Sequence, residues 1–173
     1  MPNSQGNTFI ISVDSGVNTV YMDPDGQVDQ APQLVQVWHE DPLKDNRKDL
    51  AKVLQWWIYF NSDDDTYTIR LNPSQQNALS YKNNAGNYDG RLWILKHDPA
   101  SKSQRWLITP IASTVGNAYV ISSAENPNYG IIREVDVTTD CYVNVQRMWG
   151  GHTPIFSWYI TPTPSDLVQF LAG

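Results

Sequence analysis

The chain of 173 residues holds a single cysteine, Cys141, so no intrachain disulfide framework can form. Charged residues make up 17%, against the usual quarter, and the net charge is −6. Phosphate binding needs a clustered basic surface, and the longest basic stretch, Lys44 to Lys52, is broken by Asp45 and Asp49. A nucleic-acid partner is therefore not expected. No apolar run approaches the roughly 20 residues that span a bilayer, so membrane insertion is not expected either. Residues 1–6 are polar and lack the basic region and apolar core of a signal peptide. That predicts synthesis in the cytosol, with any release to the extracellular space by lysis or an unconventional route.

Familiar catalytic signatures are also missing. There is no nucleophile elbow, phosphate loop or metalloprotease helix, which reads as a protein that is not an enzyme and needs no cofactor. Asp63-Asp64-Asp65 lacks the alternating ligand spacing of a calcium loop and reads as a solvated turn. His39, His97 and His152 match no zinc spacing, so no metal is expected. Cys141 alternates as a strand residue and reads as a small buried hydrophobe.

Aromatics, by contrast, are plentiful: 12% of the chain, with seven Trp and nine Tyr. Three phrases repeat: Gln55-Trp56-Trp57-Ile58-Tyr59, Gln104-Arg105-Trp106-Leu107-Ile108 and Phe156-Ser157-Trp158-Tyr159-Ile160. Trp57, Trp106 and Trp158 lie 49 and 52 residues apart. A period of about 50 recurring three times predicts one closed, pseudo-threefold domain. Each unit opens with an alternating run, at Thr8–Ser12, Thr66–Arg70 and Ala118–Ser122. Turn residues and three further strands follow, giving twelve strands in all. Inward-pointing Trp57, Trp106 and Trp158 are expected to fill the centre, and the Gln two residues before the first two, Gln55 and Gln104, to bond strand-junction backbone. Asp45 to Leu54 carries a weak helical stripe. Ser165 to Leu171 can cap as a short helix but reads more readily as a tail packed on the barrel.

Three QxW-like phrases with four strands per unit resemble the ricin-B-type lectin family. The resemblance runs from about Phe9 to Thr161, with Phe156 replacing the third Gln. It implies an all-β domain, a β-trefoil of three four-stranded repeats with pseudo-threefold symmetry. Its repeats would span approximately 8–62, 63–114 and 115–164, with a tail at 165–173. In that family an Asp at the end of the second strand grips two sugar hydroxyls, an aromatic on the third strand stacks on the ring, and a Gln and an Asn add hydrogen bonds. A sugar offers an apolar C–H face and a polar rim, so a flat π-surface beside fixed donors and acceptors suits it.

On this chain the resemblance implies Asp23 as the acid, Gln36 and Trp38 on the third strand, and His39 at the rim. Leu54 stands where the family has Asn, and Asn46 in the insertion is the candidate to replace it. Repeat two offers Tyr81, Trp93 and Leu95 at those places, and repeat three Arg133, Asn144 and Gln146. A second site is suggested by Asn144, Trp149 and His152 in the third repeat. Two plainer readings stand beside these: Asp23-Pro24-Asp25-Gly26 is a turn sequence, and Trp38 suits an ordinary strand position.

The function the resemblance implies is metal-independent glycan binding through a shallow site in the first repeat. Galactose-type or GlcNAc-containing glycans are the expected ligands. Such a chain would serve as a defence lectin or the cell-binding subunit of a toxin, working as a homodimer or with a toxin partner subunit. The alternative is a protein-binding trefoil, such as a protease inhibitor or toxin-complex accessory subunit, that binds no sugar.

Overall fold

The computed structural model describes residues 8–14, 19–25, 30–38, 48, 53–72, 75–112, 118–132, 141–148 and 157–172. Its strands are β1 (Phe9–Asp14), β2 (Thr19–Pro24), β3 (Gln33–Trp38), β4 (Gln55–Asn61), β5 (Thr66–Leu71), β6 (Asn77–Ser80) and β7 (Trp93–Lys96). They continue with β8 (Trp106–Pro110), β9 (Ala118–Ser123), β10 (Tyr129–Ile132), β11 (Cys141–Tyr142), β12 (Asn144–Arg147) and β13 (Ser157–Pro162). Every pairing is antiparallel.

Six strands close a ring in which each pairs with the next: β1, β4, β5, β8, β9, β13 and back to β1. These are the first and last strands of three repeats. The middle strands pair as β2 with β3, β6 with β7 and β10 with β12, and form the cap. The fold is thus a β-trefoil with pseudo-threefold symmetry. Among the described residues thirteen strands appear instead of twelve, because Val143 interrupts the third strand of the last repeat, dividing it into β11 and β12.

That interruption serves the symmetry axis. Val35 N–H donates to the Leu92 carbonyl at 3.1 Å, Leu92 N–H to Val143 at 3.0 Å, and Val143 N–H to Val35 at 2.8 Å. All three side chains are buried. A cyclic set of backbone bonds satisfies each cap strand where it leaves its own hairpin, so no buried amide here is orphaned.

Around the same axis lie three fully buried indoles: Trp56, Trp106 and Trp158. Their Nε1 groups donate to the Met22, Leu79 and Ile131 carbonyls at 3.1, 3.2 and 2.9 Å. The first repeat therefore contributes Trp56, not Trp57. The registers explain why: Trp56 lies opposite Leu71 and Ile58 opposite Ile69, all buried, while Trp57 lies opposite Arg70. Adjacent strand residues face opposite ways, so a slip of one in reading Trp56-Trp57 turns the indole outward. The Gln inference holds for Gln104, which is buried, donates Nε2 to the Lys96 carbonyl and accepts from Asp98 N–H. Gln55 directly precedes its Trp and instead accepts from the Thr8 hydroxyl at 2.9 Å and from Asn72 at 3.3 Å.

The C-terminal segment is a helix, α1 (Ser165–Ala172), and not merely a tail. Its Leu167 is buried against Ile10, with Tyr21, Phe170 and Leu171 around them. Most of 45–54 falls outside the described residues, although Lys48 and Val53 are helical. Val53 and Leu54 are buried with Tyr21 packed against them, and the Lys48 ammonium sits 5.7 Å from the Phe170 ring centre. Residues 62–65 form the β4–β5 turn, with Asp65 at a φ of 55° and Asp64 accepting from the Thr66 hydroxyl.

Candidate functional site

The end of β2 and the whole of β3 form the part of the surface to which the sequence assigns binding. Met22 pairs with Val37 and Pro24 with Val35, which carries one face of this hairpin into the core. The opposite parity holds Tyr21, Asp23, Gln36 and Trp38, with Asp23 opposite Gln36 and Tyr21 opposite Trp38. Directly opposed residues share a face roughly 5 Å apart. The backbone register thus sets Asp23 opposite Gln36, with Trp38 two residues further along β3.

Exposure separates them. Asp23 is 3% exposed, whereas Gln36 is half-buried. The side chain of Trp38, and the whole of His39, Asn46, Trp149 and His152, lie outside what the structure describes. So does the side chain of Cys141, whose backbone pairs opposite Val37.

The symmetry axis fixes which residues of the other repeats correspond. Val35, Leu92 and Val143 are equivalent through their bond cycle, which places Gln36 with Trp93 and Asn144, and Trp38 with Leu95 and Gln146. Met22, Leu79 and Ile131 are equivalent through the indole bonds, which places Asp23 with Ser80 and Ile132. The sequence alignment put Tyr81 and Arg133 there, one residue too far. Only the first repeat carries an acid, an amide and an aromatic in this register.

Asn144 is not isolated in the third repeat. It pairs with Arg91 from repeat two, and two residues earlier Tyr142 pairs with Gln36 from repeat one. Leu34 and Trp93 complete the same cycle. Tyr142 is 43% exposed, and its hydroxyl donates to Asp25 Oδ2 at 2.9 Å. That bond to a carboxylate pushes the phenol pKa up. The Arg91 guanidinium lies 5.7 Å from the Tyr142 ring centre. Sequence reasoning missed Asp25, Arg91 and Tyr142. The available signal was the alignment of Val35, Leu92 and Val143, whose neighbours must meet at the axis.

Two other polar–aromatic clusters border the cap. In the first, Tyr88 is 40% exposed, packs edge-on to Tyr129 and donates to the Val145 carbonyl; burial of its hydroxyl pushes the pKa up to about 12. Trp93 Nε1 donates to Asp89 at 3.0 Å. In the second, on the outer face of β4 and β5, Trp57 stacks on Tyr59 and Arg70 lies 4.8 Å from the Tyr59 ring centre. Arg70 also meets His97 Nε2 at 2.8 Å, which makes that nitrogen the acceptor and leaves Nδ1–H to face Gln104. Burial first, and then the Arg70 charge, hold the His97 pKa below its ordinary value. His97 is thus a neutral structural group.

Comparison with known proteins adds the following. No family model and no curated protein sequence matches the chain. Solved structures do match. One is a mosquitocidal holotoxin, with a TM-score of 0.73 at 16% identity over 95% of this chain, which spans 18% of the toxin chain. A second is the C-terminal half of an earthworm R-type lectin in complex with GalNAc, with a TM-score of 0.57 at 16% identity, covering 90% of this chain and 98% of that one. A third is a proteinase inhibitor from Coprinopsis cinerea, with a TM-score of 0.60 at 17% identity, covering 90% and 96%. At these identities the likeness is one of fold. Among the described residues no helix is long and apolar enough to cross a membrane.

Proposed function

We propose that the chain is a carbohydrate-binding trefoil of the ricin-B type that takes glycans without metal through the surface of its first repeat. The observation that carries this is the register: Asp23 opposite Gln36, with Trp38 two residues further along β3, and no such set in the other repeats. An acid, an amide and an indole supply acceptor, donor and π-face to one sugar ring. His39 and Asn46 complete the rim, and Asn144, Trp149 and His152 belong to a second, weaker surface. Galactose-type and GlcNAc-containing glycans are the ligands we favour, and the GalNAc bound by the earthworm lectin half supports that class. A single shallow site binds weakly, so pairing with a second copy or with a toxin subunit supplies avidity. The likeness to the mosquitocidal holotoxin supports the second arrangement. We propose a defence lectin or the cell-binding part of a toxin.

A second reading, a protein-binding trefoil that takes no sugar, draws on two observations: the 3% exposure of Asp23 and the likeness to a proteinase inhibitor. The experiment that separates them is a glycan array with Trp38→Ala alongside. Binding by the wild type that Trp38→Ala abolishes supports the first reading, and a blank array supports the second.

A further inference from the structure

Hydrogen-bonding groups on a folded surface usually find protein partners or bulk water. Near the pseudo-threefold axis a fixed hydroxyl stands beside donors that meet no protein acceptor among the described residues. Tyr142, from repeat three, is 43% exposed, yet its hydroxyl is fixed by Asp25 of repeat one. Its backbone pairs opposite Gln36, whose half-buried side-chain amide makes no hydrogen bond among the described residues. Arg91, from repeat two, lies over the Tyr142 ring, and its exposed guanidinium meets no acid among the described residues. The ring is thus held at its polar tip, one carboxylate beside it is open to solvent, and two donor groups stand unengaged.

We propose, resting on the glycan reading above, that Asp25, Gln36, Arg91 and Tyr142 form a saccharide subsite on the axis, built from all three repeats. On the axis the acid is Asp25, which is exposed. With Oδ2 taken by Tyr142, Oδ1 accepts a sugar hydroxyl. Gln36 and Arg91 donate to ring or hydroxyl oxygens, and the exposed part of Tyr142 meets the C–H face. One negative and one positive group cancel, which selects a neutral sugar: an acidic one meets Asp25, a cationic one Arg91. Gln36 and Trp38 alternate along β3, roughly 7 Å apart. The axial subsite therefore adjoins the first-repeat surface, and an oligosaccharide covers both where a monosaccharide covers one.

The test is titration calorimetry of the intact chain, using the neutral oligosaccharide that binds most tightly on an array and its terminal monosaccharide. Tyr142→Ala and Arg91→Gln each weaken the oligosaccharide by about tenfold while retaining the wild-type melting temperature. Tyr142→Phe keeps the ring, frees Asp25 and falls between. Wild-type affinity in both Tyr142→Ala and Arg91→Gln overturns the subsite and leaves the lectin reading standing. A wild type that binds no glycan removes that reading and the subsite with it. A preference for acidic over neutral oligosaccharides overturns the neutral-ligand assignment.

Discussion

Replacing Trp56 with Phe, and separately Trp57 with Phe, distinguishes a core indole from a surface one at neighbouring positions. Trp56 is fully buried and donates Nε1 to the Met22 carbonyl at 3.1 Å. Phenylalanine leaves that carbonyl buried without a donor, which costs about 1–3 kcal/mol, and leaves a small void besides. Trp57 is half-buried, stacks on Tyr59 and donates to Asn72 at 2.9 Å on the outer face. There phenylalanine keeps the stacking, and water replaces the lost donor, so the change stays under about 1 kcal/mol. Against a total stability of about 5–15 kcal/mol both variants fold, and both are measurable by urea unfolding followed by circular dichroism. Symmetry extends the prediction: Trp106→Phe and Trp158→Phe lose equivalent bonds, to Leu79 and Ile131, and fall in the same range as Trp56→Phe. A Trp57→Phe variant as destabilised as Trp56→Phe refutes the register, and with it the identification of the three central indoles.

Two further outcomes follow from the same packing. His97 is neutral in the folded chain with its pKa held below the ordinary 6.5. The unfolded chain takes up a proton first, so stability is full above about pH 6.5 and falls as the pH drops toward the lowered folded value. Melting temperatures between about pH 5 and 7.5 show this slope, and His97→Gln flattens it; an equal slope in the variant assigns it to other groups. Leu167, 3% exposed against Ile10, anchors α1 to the barrel. Leu167→Ala lowers stability by about 2 kcal/mol in urea titration and speeds proteolysis after Pro162, and unchanged stability contradicts the anchoring.

The barrel was readable because its signals are redundant. Alternation in each opening strand, turn residues and a period near 50 all point the same way, so one ambiguous position does not alter the architecture. Position-level reading failed where a single residue decides a face. In Trp56-Trp57 both residues are tryptophan, and only the partner strand, with Leu71 and Ile69 inside, picks one. The same one-residue ambiguity displaced the partners of Asp23 from Ser80 and Ile132 to Tyr81 and Arg133. Gln36 could be placed because Val35 and Val37 alternate with it as an apolar face. The burial of Asp23 was not legible, since it depends on what other segments lay over it. Nor were Tyr142, which meets Asp25 and Gln36 only across repeats, and Arg91, which meets Tyr142 and Asn144 in the same way. Sequence periodicity describes one repeat at a time, while the axis is made by three.

The claim that this trefoil binds glycans through its first repeat is tested most directly by an array of neutral and acidic glycans probed with wild type and Trp38→Ala. The account predicts wild-type binding to neutral galactose-type or GlcNAc-containing glycans that Trp38→Ala loses. An array left blank by folded wild-type protein contradicts it.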